Sequence, residues 1–228
     1  MAPEEFVVLT EVDPMIGTDI RYATHRNFVG VPLDGYLSPT CILTRRTAWA
    51  LSRARAALSG SGYTLQVLDA YRPIRAVRHV TRWARDLDDQ RTKQEFYPRT
   101  AKERLFPDGY LYEWSSHSRG GSVDVTLVTT AGAPVDMGTA FGCFDARSRT
   151  LHPGVRGVRR SRRALLERAM AQSGFVNRPG AWWHYTYASE PFPDVYFDFP
   201  VSESSLSLPA PVGLRSPVLP AQRSGNAP

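Results

Sequence analysis

The sequence is short of cysteine, of lysine and of long apolar runs, and each shortage removes a class of protein. Two cysteines, Cys41 and Cys143, are too few for a disulfide framework. They read as free thiols in a chain expected to be cytoplasmic, with a single bridge between them left open. No apolar run approaches the ~20 residues of a membrane span, so no membrane partner is expected. The opening stretch MAPEEFVVLTEVDP begins with acids and holds no long apolar stretch, so it does not read as a secretory signal. No internal repeat, zinc-finger spacing, aromatic RNA-binding motif or recognition helix is present. That matters because a net charge of +6 and a pI near 9.6 would otherwise suggest nucleic acid. Lysine is nearly absent: Lys93 and Lys102 are the two lysines, and arginine carries the rest of the positive charge. The densest run, VRGVRRSRR (155–163), leads into ALLERAMAQSG. Leu165, Ala169 and Gln172 or Ser173 fall at helical spacing there, and Gly174 sits where a C-cap belongs. The arginines then read as a solvated helix face, and no nucleic-acid partner is expected.

What is present suits one domain with a sizeable core, followed by a tail. Residues 15–40 are rich in turn formers and aromatics and read as an irregular, ordered wrap. The segment 42–58 places Ala48, Leu51, Ala54 and Leu58 at helical spacing, with Ser38 or Thr40 as the expected cap. YTLQVLDAY (63–71) reads as a strand. RPIRAVRHVTRWARDL reads as a helix with Pro73 near its first turn. The stretch 88–112 is polar and turn-rich. Val123, Val125 and Leu127 alternate with Asp124 and Thr126, the pattern of a half-buried strand, and TAG after them resembles a hairpin turn. AWWHYTYAS is another candidate strand. From residue 202 the chain holds five prolines, six serines and no aromatic residue. The domain is therefore expected over 1–201, with 202–228 a flexible tail.

His117 and Asp124 stand in HSRGGSVD, where a histidine before a strand and an aspartate on it can converge. His184, in WWHY, lies 60 residues beyond Asp124, and an adjacent antiparallel strand would bring it alongside. Two imidazoles and a carboxylate suit zinc, and three protein ligands leave a tetrahedral ion one open position. The alternative stays open at this point: a turn-capping histidine, an aspartate bonded to backbone amides, and a satisfied core histidine.

SSHSRGGSVDVTL resembles the S-x-H-S-R-G-x-x-x-D-[LV]-T motif of the VanX-type D-alanyl-D-alanine dipeptidases, zinc enzymes of vancomycin resistance. RYAT…NFVG…DGY, LDAYRPIRAV, MGTAF…FDARS, SGF…WWHY and EPFPDVYFDFPV are also similar to that family, and in its order. The resemblance spans about residues 6 to 201. It implies one zinc ion on His117, Asp124 and His184, and a small dipeptide as substrate. It implies that Arg72 stabilises the tetrahedral intermediate, and that Tyr22 and Ser116 line the substrate pocket. The expected fold is α+β: a small antiparallel sheet carrying the zinc, with helices packed around it.

Three positions depart from the family pattern. Ala181 stands where the family has the glutamate expected to act as general base. Gly142 replaces an acid well placed to hold a dipeptide's ammonium, while Asp145 keeps the second acid of that motif as a substrate-binding candidate. Arg149 stands where histidine often follows RS. Glu190, the nearest acid after His184, lies in a different slot. Two readings remain open: a dipeptidase made slow or inactive by an engineered change at 181, or a natural relative whose zinc pocket serves another ligand in a biosynthetic pathway.

Overall fold

The computed structural model describes residues 1–206. It opens with short elements, β1 (Phe6–Val8), α1 (Leu9–Val12) and β2 (Gly17–Thr18). The irregular wrap that follows is ordered because side chains satisfy its backbone. Asn27 Nδ2 donates to the carbonyls of Thr24 and Val31, and its Oδ1 accepts from the amides of Val29 and Gly30. Tyr22, Phe28, Leu33 and Tyr36 anchor this segment in the core.

β3 (Ile42–Thr44) then precedes α2 (Arg45–Ala56), so the helix expected from residue 42 starts three residues later. Ile42, Leu43 and Thr44 pair antiparallel with β1, and all three are buried. Tertiary pairing overrides the helical period there, and Ser38 and Thr40 bond each other rather than cap the helix. β4 (Tyr63–Asp69) leads through Pro73 into α3 (Ile74–Arg85). Pro73 takes the N-cap position, where a missing N–H leaves no helical bond unmade. α4 (Lys93–Phe96) sits in the polar stretch, and β5 (Ser122–Thr129) follows. The turn after β5 closes through Gly132, whose amide donates to the Thr129 carbonyl.

α5 (Gly157–Gln172) ends before Gly174, whose φ of 88° marks the left-handed residue past the cap. Its buried face carries Arg163, Leu166, Ala169 and Met170. The face is thus rotated from the one expected around Leu165, and it includes an arginine. β6 (Phe175–Asn177), which the sequence pattern did not reveal, pairs with β7 (His184–Tyr187).

The main sheet runs β2-β4-β5-β7-β6. It is antiparallel except at its edge, where β2 lies parallel to β4. β5 is its centre. Asp124 and most of its neighbours are buried, so the strand is covered on both faces rather than half-solvated. Cys41 and Cys143 are buried, free thiols. Beyond residue 201 the chain makes one more turn, Glu203–Ser205. Ala2 N donates to the Ser205 carbonyl at 2.9 Å, and Leu206 packs on the core. The rest of the expected tail, 207–228, lies outside the described residues. Among the described residues no helix is long and apolar enough to cross a membrane.

Candidate metal centre and active site

Three neighbouring strands bring the candidate ligands together. Asp124 on β5 lies directly opposite His184 on β7 and opposite Asp69 on β4, where a bulge between Val67 and Asp69 re-aims the strand end. His117 comes from a short turn, Ser116–Arg119, which Ser115 caps by accepting from the His117 amide. Gly120 ends that turn with a φ of 77°. A Cβ there would stand 2.3 Å from Phe6 Cε1, so the glycine meets both a backbone and a packing demand.

The three donor atoms form a closed triangle. His117 Nε2 lies 3.0 Å from His184 Nδ1, His184 Nδ1 lies 3.0 Å from Asp124 Oδ1, and Asp124 Oδ1 lies 3.3 Å from His117 Nε2. A tetrahedral ion bound at ~2.0–2.1 Å separates its ligand atoms by about 3.3 Å, so the triangle has the right size. The orientation is fixed from behind. His117 Nδ1 donates to the Ala70 carbonyl at 2.6 Å, which leaves the Nε2 lone pair facing the other two donors. Burial pushes the His184 imidazole down to about 4, against the pull of Asp124, so the ring is neutral as a metal ligand must be. Burial also pushes the Asp124 carboxyl up, but the two histidines outweigh it and hold that group well below the usual carboxylate range. Two imidazole nitrogens and a carboxylate oxygen converging on one point fit a divalent cation.

A cavity of about 300 Å³ opens over this triangle. Tyr22, Arg72, Ser116 and Ala181 all reach its wall, as do the three donors. Arg72 is held rigidly: Nε and Nη2 donate to Asp69 Oδ2 at 3.0 and 2.8 Å, and the guanidinium lies 4.6 Å over the Tyr22 ring. Burial works against its charge, but Asp69 beside it keeps it protonated. No partner for Nη1 exists among the described residues, so that donor is free for the cavity. Ser116 Oγ accepts from Ser122 at 2.7 Å and lies 3.4 Å from His184 Nε2.

The candidate Asp145 and the acid Glu190 do not reach this cavity. Asp145 is buried, bonded to Arg99 at 2.6 and 2.7 Å and to Arg147, and it caps the turn at 146–148. It therefore holds a loop and lies outside the cavity over the donor triangle. Glu190 is bound by Arg119 at 2.6 Å. Among the described residues, Asp124 is the one carboxylate that lines the cavity.

Sequence reasoning missed Asp69, the buried anchor of Arg72, which also accepts from Tyr36 at 2.6 Å and lies 3.5 Å from His117 Nδ1. Its signal was available three residues ahead of Arg72 in LDAYRP. It also missed Arg178, Tyr112 and Trp114 on the cavity wall, which carry no motif of their own.

Residues 2–202 match the D-ala-D-ala dipeptidase family. The chain is 39% identical to a D-alanyl-D-alanine dipeptidase of Enterococcus faecalis over 198 residues, covering 86% of this chain and 98% of that protein. It is also 39% identical to one of Streptomyces coelicolor over 202 residues, covering 87% and 98%. A crystal structure of the vancomycin resistance D,D-pentapeptidase VanY with Zn(II) aligns at a TM-score of 0.41 and 15% identity, over 68% of this chain and 77% of that one. That likeness is too distant to bear on the site. With the family matched from end to end of the sheet and its donor triangle, the chain belongs to the D-ala-D-ala dipeptidase family of peptidases.

Proposed function

We propose that this chain holds one zinc ion on His117, Asp124 and His184 and acts on D-Ala-D-Ala as a slow or inactive dipeptidase. The observation that carries the reading is the donor triangle beside a fixed, partly unsatisfied Arg72 in a cavity of dipeptide size. Zinc there would supply Lewis acidity toward a peptide carbonyl and make water acidic enough to react near neutral pH. Arg72 offers Nη1 to the oxygen on which charge develops. Asp69 prevents that guanidinium from reorganising, and such a donor is worth ~3 kcal/mol or more. Tyr22 and Ser116 shape the space beside it.

Ala181 supplies nothing to take or return a proton. The lining carboxylate, Asp124, is committed to the histidines, and Glu190 to Arg119. Loss of a positioned acid–base group removes ~10²–10⁴ of rate. Elemental analysis of the purified chain, with a D-alanine release assay, tests the reading. About one zinc per chain is expected, with D-alanine release that is absent or slow and chelator-sensitive. A chain without stoichiometric metal, or release unaffected by chelation, overturns it. A second reading, a pocket turned to another ligand, is favoured by one observation: Gly142 also lines the cavity without an acid.

A further inference from the structure

The charged groups on the cavity wall are unbalanced. Arg72 and Arg178 face it beside the two histidines, and Asp124 is the sole acid among the described residues. Asp124 is already shared by His117, His184 and Arg72. Nothing anionic is left for an incoming ammonium. Gly142, where the family pattern expects an acid, has Phe28 and Phe96 as the nearest side chains to a built Cβ.

Arg178 is the opposite case. Nη2 donates to the Gly109 carbonyl at 2.9 Å, and the guanidinium lies 4.2 Å over the Tyr112 ring. Those two contacts fix its position without neutralising it. It pairs with no carboxylate among the described residues, so most of its five N–H donors remain free. Tyr112 and Trp114 share this wall and are 53% and 65% exposed, so their rings are open to a ligand.

We infer that this cavity selects an anionic ligand without a free ammonium: an N-acylated amino acid or dipeptide carboxylate. Its acid would pair with Arg178, and an aromatic or apolar acyl group would pack on Tyr112 and Trp114. The inference rests on the reading of this cavity as the ligand site. It deepens the second reading by naming the ligand class. A free dipeptide brings an ammonium that meets two guanidinium groups and no free acid. Acylation removes that charge and leaves a net anion, which the wall is built to receive.

Calorimetry on the zinc-loaded full chain tests this with three probes: D-Ala-D-Ala, N-acetyl-D-Ala-D-Ala and N-benzoyl-D-Ala-D-Ala. The benzoyl probe is expected to bind tightest and the free dipeptide weakest, with at least about tenfold between them. Arg178→Met should weaken the benzoyl probe by about tenfold. Arg178→Lys, which keeps the charge but loses the planar fork stacked on Tyr112, should weaken it less than Arg178→Met does. Tyr112→Ala should narrow the gap between the benzoyl and acetyl probes. Equal or tighter binding of the free dipeptide overturns the inference, as does an unchanged benzoyl affinity in Arg178→Met with zinc retained, or failure of all three probes to bind. D-alanine release is scored separately. A chain that prefers the blocked probes yet releases nothing upholds the inference and refutes hydrolysis, while one that releases D-alanine from the free dipeptide and binds all three equally does the reverse.

Discussion

Single side chains decide whether this site is catalytic. Ala181 sits on the cavity wall, just before the strand that carries His184, so a longer side chain there enters the cavity. Ala181→Glu is expected to raise kcat/KM for D-Ala-D-Ala by at least ~10²-fold, the scale of a positioned acid–base group. The gain should disappear on the acid side as the new carboxylate protonates, and it should collapse in Ala181→Glu with Arg72→Ala. If the pocket serves another ligand, the single change stays near background until Gly142→Asp is added. That second change is strained, because Gly142 has a φ of 74°, and it should lower stability by about 1–2 kcal/mol. Asp145 gives a contrasting case. Burial pushes its carboxyl up, but Arg99 and Arg147 outweigh burial and hold it well below the usual range. Its folded pKa is depressed, so its contribution is present above the unfolded value of ~3.9 and is lost as pH falls below it. Asp145→Asn should therefore flatten the acid limb of a stability–pH curve between about pH 4 and 2 while leaving ligand affinity unchanged. A large loss of dipeptide affinity would instead return Asp145 to the substrate.

Among the elements, the sequence was legible where a local pattern and its environment agree. β5 and the core of α3 follow from periodicity and β4 from its β-branched and aromatic residues, and the pairing of β5 with β7 places His184 beside Asp124. Legibility failed where non-local contacts decide. Ile42–Thr44 is a strand because β1 lies alongside it, and three residues carry too little periodicity to announce that. β6 is invisible for the same reason. In α5 the solvated-arginine reading holds for Arg160 but not for Arg163. Arg163 is buried, and it donates to the carbonyls of Met137, Arg147 and Arg149 at 2.6, 2.9 and 2.8 Å. Its partners belong to the loop at 137–149, far from it in sequence. Arg163→Met would leave these buried acceptors without donors, each worth ~1–3 kcal/mol. Chemical denaturation should show a loss of at least ~3 kcal/mol, whereas Arg160→Ala should stay within ~0.5 kcal/mol. Similar small effects for both would mean that α5 is held by its apolar face alone.

Over the whole molecule, the donor triangle joins parts of the chain that sequence separates widely. It ties the turn at 116–119 to β5 and β7, while Asp69 and the Ala70 carbonyl extend the same cluster to the end of β4. A cation that binds only the folded chain stabilises it by RT ln(1 + [L]/Kd), about 2.7 kcal/mol at a hundredfold excess over Kd. For a domain of this size that corresponds to a rise in Tm of about 5–10 °C. Zinc should therefore raise Tm by that amount over the chelated chain, and the shift should vanish in His117→Ala and in His184→Ala. Ala181→Glu should retain it, because position 181 lies outside the donor triangle. Equal zinc-dependent shifts in the wild type and the histidine variants would locate the stabilising ion elsewhere. Catalysis and stability would then have to be assigned to different sites, and the convergence of β4, β5 and β7 would need another explanation.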